Sequence, residues 1–208
     1  MRIAMFGGSF NPIHNGHVQL VQAFVRELSL DSALIVPAFL SPFKLNTRPA
    51  LPYQRLAMCR LAFADMPAAQ VSDIEIRREG ASFTYLTLQE LTKEYGVEKL
   101  FLITGADSFL TIHRWKCPEI IFEHAIICAV PRGNDEMDAL QRQAAYLQTL
   151  HAETKLLNTS VMTVSSTEVR ERIKKGESIR GLVPERVEQY ILQNGLYRQN
   201  MNDEERKP

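Results

Sequence analysis

Ile3-Ala4-Met5-Phe6-Gly7-Gly8-Ser9-Phe10-Asn11-Pro12-Ile13-His14-Asn15-Gly16-His17, near the start of the chain, decides how the rest is read. A short apolar run meets a glycine pair, a Pro-containing turn and two histidines three apart. Val18, Val21, Val25 and Leu28 then recur at helical spacing, with Leu20 and Phe24 beside them. A buried strand therefore passes through a glycine turn into a helix. Glycines let the main chain approach an anion closely. The unpaired amides and positive end of the helix favour the same ligand. Asn15 is read as the helix cap, with His17 in the first turn and His14 just outside it. Two imidazoles there can donate to a phosphoryl group as charge builds on it. Either histidine alone reads as a solvated residue of a capped turn; the pair after strand-Gly-Gly reads as functional. A metal pair is the weaker alternative, because no third ligand stands nearby.

The turn is not a nucleoside triphosphatase P-loop, which needs Lys-Ser/Thr after its glycines. It is not the Gly-x-Gly-x-x-Gly dinucleotide fingerprint either, which argues against ordinary hydride chemistry. Outward from it, strands and helices alternate. Strands are expected at 2–7, 33–36, 100–103 and 125–130, with a short one near 155–157. The alternation Val71 to Ile76 reads as a half-wet strand. Helices are expected from Pro52 through Leu56, Cys59 and Phe63, and over 84–95, 136–149, 166–175 and 184–194, the last capped by Gly195. The loop from Pro37 to Pro52 is long enough to suggest a function. This order predicts an α/β, Rossmann-like, doubly wound and mainly parallel sheet with helices on both faces. Ligands in such folds sit beyond the carboxyl ends of the strands. The glycine turns at 7–8 and 105 should then border one crevice. No repeat or linker divides the chain, so residues 1–198 read as one domain and 199–208 as a polar tail.

The 208 residues carry 24 basic and 24 acidic side chains, a formal net charge of zero, which argues against a bulk nucleic-acid binder. No apolar run approaches the roughly 20 residues that cross a bilayer, and no signal-peptide layout is present. Cys59, Cys117 and Cys128, odd in number and widely spaced, read as buried free thiols in a reducing cytoplasm rather than as a disulfide framework or zinc site. A second constellation, Val164-Ser165-Ser166-Thr167-Glu168-Val169-Arg170, starts a late helix. Ser165 with Glu168 fits a capping box, and capping alone explains those two. Ser166, Thr167 and Arg170 add hydroxyls and a guanidinium suited to polyphosphate oxygens.

Taken in order, these stretches resemble a known family. Gly7 to Pro12 with His14-Asn15-Gly16-His17 is similar to the first signature of the His-x-Gly-His nucleotidyltransferase superfamily, and Ser165-Ser166-Thr167-x-x-Arg170 to its second. Ser82-Phe83-Thr84-x-x-Thr87-Leu88, Gly105-Ala106-Asp107-Ser108, Trp115, Gly181 to Pro184 and Gly195 to Arg198 complete a set that resembles the bacterial nicotinate-nucleotide adenylyltransferases over residues 2–198.

The resemblance implies that ATP and nicotinate mononucleotide give deamido-NAD and pyrophosphate, with Mg²⁺ carried on the ATP phosphates and no covalent enzyme intermediate. It implies that His14, His17 and Arg170 act on the phosphates and that Gly7, Gly8, Ser9 and Phe10 border both substrates. Lys44 would neutralise phosphate, Gly105 and Asp107 would hold the adenosine ribose, and Ser165, Ser166 and Thr167 the β- and γ-phosphates. Thr84, the backbone at Tyr85 and Trp115 would take the pyridine nucleotide, with His113 and Arg114 adding positive potential. Asn11 stands where many bacterial members carry Asp, Leu86 where a polar residue is frequent, and Tyr85 is bulkier than usual, which bears on acid-versus-amide selectivity. A nicotinamide-mononucleotide or other sibling transferase and a non-catalytic nucleotide sensor are the rival readings. A class I aminoacyl-tRNA synthetase core would need a Lys-Met-Ser-Lys-Ser-like loop where Ser165 to Arg170 stands. Oligomeric state is left open, a homo-oligomer included.

Overall fold

The apolar start becomes β1 (Ile3–Gly8), buried through Phe6 and opening only at its glycines. The computed structural model describes residues 1–40, 49–131, 136–159 and 161–198. After β1 come α1 (Asn15–Glu27), β2 (Ser32–Pro37), α2 (Pro52–Ala62), β3 (Ala69–Val71), α3 (Ile74–Arg78) and α4 (Thr84–Tyr95). Then follow β4 (Leu100–Ile103), α5 (Ala106–Thr111), a 3₁₀ turn (Ile112–Arg114), α6 (Pro118–His124), β5 (Ala125–Ala129), α7 (Met137–Thr149), β6 (Glu153–Leu156), α8 (Ser166–Lys174) and α9 (Glu185–Gln193). Among the described residues every strand pairing is parallel. The six-stranded sheet runs β3-β2-β1-β4-β5-β6, so strand order reverses between β1 and β4. In an open parallel sheet that reversal leaves a crevice at the carboxyl ends. It falls between Gly7–Gly8 and Gly105, where the sequence placed it.

Alternating strand residues feed two cores. Ala4, Phe6, Ala33, Ile35, Phe101 and Ile103 point to one face and meet α1, α2, α8 and α9 through Phe24, Cys59, Val169 and Val187. Ile3, Met5, Leu34, Val36, Leu100 and Leu102 point to the other and meet α4 to α7 through Leu88, Phe109, Ile121 and Leu140. The near-continuous apolar strands are thus buried on both sides, as a doubly wound sheet requires.

Two expectations change. Val71 to Ile76 is not a strand: β3 ends at Val71, and Ile74, Glu75 and Ile76 are consecutively buried in the short helix α3. Six residues of apolar alternation do not separate a strand from one helical turn whose polar member is also buried. Glu75 is satisfied there by Thr87, whose Oγ1 donates to Oε1 at 2.6 Å, while an Arg78 nitrogen lies 3.8 Å away. The helices α5 and α6, of six and seven residues, are too short to show a period in the sequence. Cys59 and Cys128 are buried free thiols as expected, but Cys117 is only partly buried, at a left-handed turn before Pro118.

Phe109 is fully buried under α5, the element that carries Asp107. Phe109→Ala should lower unfolding stability by about 3–5 kcal/mol, read as a shifted urea midpoint with unchanged slope.

Candidate active site

The start of α1 is built by its own histidines. His14, not Asn15, is the cap: its Nδ1 accepts from the His17 amide at 3.4 Å, and the His17 Nδ1 accepts from the His14 amide at 3.2 Å. The rings stack at 3.5 Å between centroids. Asn15 is displaced from the cap because its amide and side chain donate instead to Leu182 O and Gly181 O, each at 2.8 Å. The reciprocal cap has a chemical consequence. A nitrogen that accepts carries no proton, so in the neutral ring the proton lies on Nε2, which is then the N–H donor. The Phe10 ring packs edge-on to His17 at 5.2 Å and to Phe6 at 5.3 Å, which fixes the imidazole's tilt.

Glycine is required at two places. A Cβ on Gly8 would lie 2.9 Å from the Phe10 ring, and one on Gly16 would lie 2.7 Å from Met162 O and 3.2 Å from His14 Nδ1. Gly16 thus lets the segment before α8 lie directly against the histidine turn.

That segment supplies the second motif. Ser165 caps α8, its Oγ accepting from the Glu168 amide at 3.0 Å. Glu168 does not complete a capping box; its carboxylate pairs with Arg172 at 3.3 Å. Ser166 Oγ donates to Pro12 O at 2.8 Å, Arg170 Nη1 to Asn11 O at 2.7 Å, and Arg170 Nη2 to Thr167 Oγ1 at 3.2 Å. Stretches more than 150 residues apart are therefore joined directly. A cavity of about 670 Å³ lies over the junction. It is lined by Gly7 to Asn11, His14, His17, Gly105, Asp107, and Ser165 to Thr167 with Arg170.

A second cavity of about 620 Å³ shares Gly7, Gly8, Ser9, Gly105 and Asp107 with the first and continues to Ser82, Thr84, Arg114 and Trp115. Thr84 is the first residue of α4 and Trp115 follows the 3₁₀ turn. Tyr85 is not among the described residues lining this cavity, and its ring packs against the second core. His113 turns away to Gln143 and Tyr146, its Nδ1 lying 3.0 Å from Gln143 Nε2. Of the two basic residues only Arg114 faces the cavity. Lys44 lies outside the described residues.

Arg55 is the residue sequence reasoning missed. Its side chain, on α2, is buried at 2 % exposure, and desolvation draws its pKa below the usual arginine range. It donates to Ser9 O at 2.8 Å, Phe39 O at 2.9 Å and Ala50 O at 3.1 Å. Arg55 lies four residues before Cys59, on the apolar face of α2, and a charge at a core position was the available signal. Burial pushes the Cys128 thiol up to about 12 and Cys59 higher still, so neither is poised as a nucleophile. Among the described residues no group of three or more His, Cys, Asp or Glu is arranged to hold a metal, and no helix is long and apolar enough to cross a membrane.

A crevice at the strand reversal, a histidine-capped helix start and a distant guanidinium on the same turn define a nucleotidyltransferase. Residues 5–172 match the cytidylyltransferase-like family. Full-length relatives narrow this. The chain is 41 % identical over 197 residues to a Roseiflexus castenholzii protein and 40 % identical over 196 residues to one from Roseiflexus sp. (strain RS-1). Both are named "Probable nicotinate-nucleotide adenylyltransferase"; the matches span 95 % and 94 % of this chain and 98 % of each relative. The chain belongs to the nicotinate-nucleotide adenylyltransferase family. Its fold is also that of the Plasmodium falciparum nicotinic acid mononucleotide adenylyltransferase complexed with NaAD, with TM-score 0.77 at 17 % identity over 94 % of this chain and 97 % of that one.

Gly16 occupies the first turn of α1, where helix propensity alone makes Ala the better residue. The clash with Met162 O reverses the sign: Gly16→Ala should destabilise by about 1–3 kcal/mol, measured as a lowered melting temperature.

Proposed function

We infer that the chain transfers AMP from ATP to nicotinate mononucleotide, releasing pyrophosphate and forming deamido-NAD. The observation that carries this reading is the pair of adjoining cavities with a common wall of Gly7, Gly8 and Ser9. One offers phosphate-binding groups, the other an aromatic ring and a helix start, so two nucleotides can meet phosphate to phosphate.

ATP takes the first cavity. The start of α8, with Ser165, Ser166, Thr167 and Arg170, holds the β- and γ-phosphates, and Asp107 with Gly105 receives the adenosine ribose. A carboxylate accepts both ribose hydroxyls. The mononucleotide takes the second cavity, its pyridine on Trp115 and its carboxylate at the start of α4 beside Thr84. Its phosphate oxygen attacks the α-phosphorus; the bond to the bridging oxygen breaks and pyrophosphate leaves from the opposite side. Nε2–H of His17, with that of His14 beside it, donates to the α-phosphoryl oxygens as their charge grows. These donors are held by the reciprocal cap before substrate arrives, which keeps the reorganisation cost low. Mg²⁺ enters with ATP as part of the substrate. Imidazole N–H groups, hydroxyls and a guanidinium suit a metal held by phosphate oxygens, and the cation supplies charge neutralisation on the triphosphate. The free thiols fit a reducing, cytoplasmic setting, and residues 1–198 work as one catalytic domain.

Incubation with Mg-ATP and nicotinate mononucleotide should release pyrophosphate, with the amide mononucleotide distinctly slower. Binding of both nucleotides without pyrophosphate would make the protein a sensor, and equal rates would remove the acid preference. His17→Ala should lower kcat about 10²–10³-fold, as loss of one oxyanion-type donor does. It should cost only about 1 kcal/mol of stability, because the His14 cap on the His17 amide survives and only the bond from the His14 amide to His17 Nδ1 is lost. Trp115→Ala should raise KM for the mononucleotide and leave that for ATP nearly unchanged.

A further inference from the structure

The first motif is held from a direction that its reading as a phosphate site does not use. Tyr197, beyond α9 and outside the cytidylyltransferase-like match, donates its hydroxyl to Asn11 Oδ1 at 2.8 Å. The same oxygen accepts from the Ala50 amide at 3.0 Å. Asn11 is buried at 7 % exposure, and its main-chain carbonyl is the acceptor for Arg170. Arg55 grips the turn from the other side through Ser9 O and also holds Ala50 O. Gly181 and Leu182, from the same carboxyl-terminal stretch, hold Asn15 at the far end of the turn. Both flanks of the turn are thus gripped by residues 181–197. Burial pushes the Tyr197 phenol up, which keeps it a neutral donor with Arg55 and Arg170 near it.

We propose that Tyr197 is a positioning residue for the triphosphate site: its hydroxyl orients Asn11, and the Asn11 carbonyl aims Arg170 into the first cavity. Tyr197 itself touches no substrate. The side chain of Asn11 suits this task because one neutral oxygen accepts both donors. The inference rests on ATP occupying the first cavity, and the test separates the two claims.

The full-length protein is titrated calorimetrically with Mg-ATP and, separately, with nicotinate mononucleotide, as wild type, Tyr197→Phe, Arg170→Ala and the double variant. Tyr197→Phe keeps the ring and should weaken ATP binding about three- to tenfold, the worth of one buried hydrogen bond. Mononucleotide binding should stay within twofold. Added to Arg170→Ala, the same change should weaken ATP binding by less than twofold, because the two residues act through one carbonyl. Three outcomes overturn the proposal: ATP affinity unchanged in Tyr197→Phe, equal loss with and without Arg170, or equal loss for both nucleotides. Should Tyr197→Phe not fold, Asn11→Ala removes the shared acceptor but keeps the carbonyl. It must show the same selective loss, and wild-type ATP affinity in it overturns the proposal. A wild-type protein that binds no ATP would instead sink the functional reading itself.

Discussion

Two hydrogen bonds hold the site together: Arg170 to the carbonyl of Asn11 and Ser166 to the carbonyl of Pro12. Buried main-chain acceptors need partners, and the carbonyls of Asn11 and Pro12 find them outside the turn. Here they come from α8, at the other end of the chain. The partners are a planar guanidinium and a hydroxyl with little freedom, so the bonds fix distance and direction together. Arg55 performs the same service for Ser9, and Leu182 for the Asn15 amide. The shape of the turn is therefore set by distant partners of its backbone together with its own histidines and glycines.

In the proposed mechanism the histidine pair makes one interaction serve folding and chemistry together. Capping a helix with an imidazole uses Nδ1 as acceptor, and in the neutral ring this leaves the proton on Nε2, the donor that the proposed mechanism uses. Stacked rings, edge-on packing by Phe10 and the close pass of Met162 over Gly16 keep both donors in place. Adenylyl transfer by direct attack asks for alignment and charge stabilisation rather than a protein nucleophile. The two deeply buried thiols, with raised pKa values, agree with that economy of means.

The sheet contributes position. Reversal of strand order between β1 and β4 opens the only kind of gap a parallel sheet covered on both faces allows. The glycine turns at its lips let two cavities share one wall. The family match ends at residue 172, yet residues 181–197 supply three of the contacts that hold the first turn. The carboxyl-terminal stretch is thus part of what shapes the site as well as a cover for the first core.

By itself the sequence determined the alternation of strands and helices, the parallel sheet and the meeting of the glycine turns. Apolar runs such as Leu100 to Ile103 and the Gly7–His17 turn carry strong local signals of period and conformation. It also determined the two motifs, because their residue types suit phosphate wherever the helices start. Only the tertiary structure decided which residue caps α1. Asn15 has the better capping propensity, but a remote pair of carbonyls at 181 and 182 claims it and leaves the cap to His14. In the same way it decided that His113 turns from the cavity while Arg114 faces it, that Glu75 sits in a helical turn, and that Arg55 and Tyr197 hold the first motif. Each of these outcomes depends on groups far apart along the chain, and a local pattern carries no record of which donor will find which acceptor once the sheet has closed.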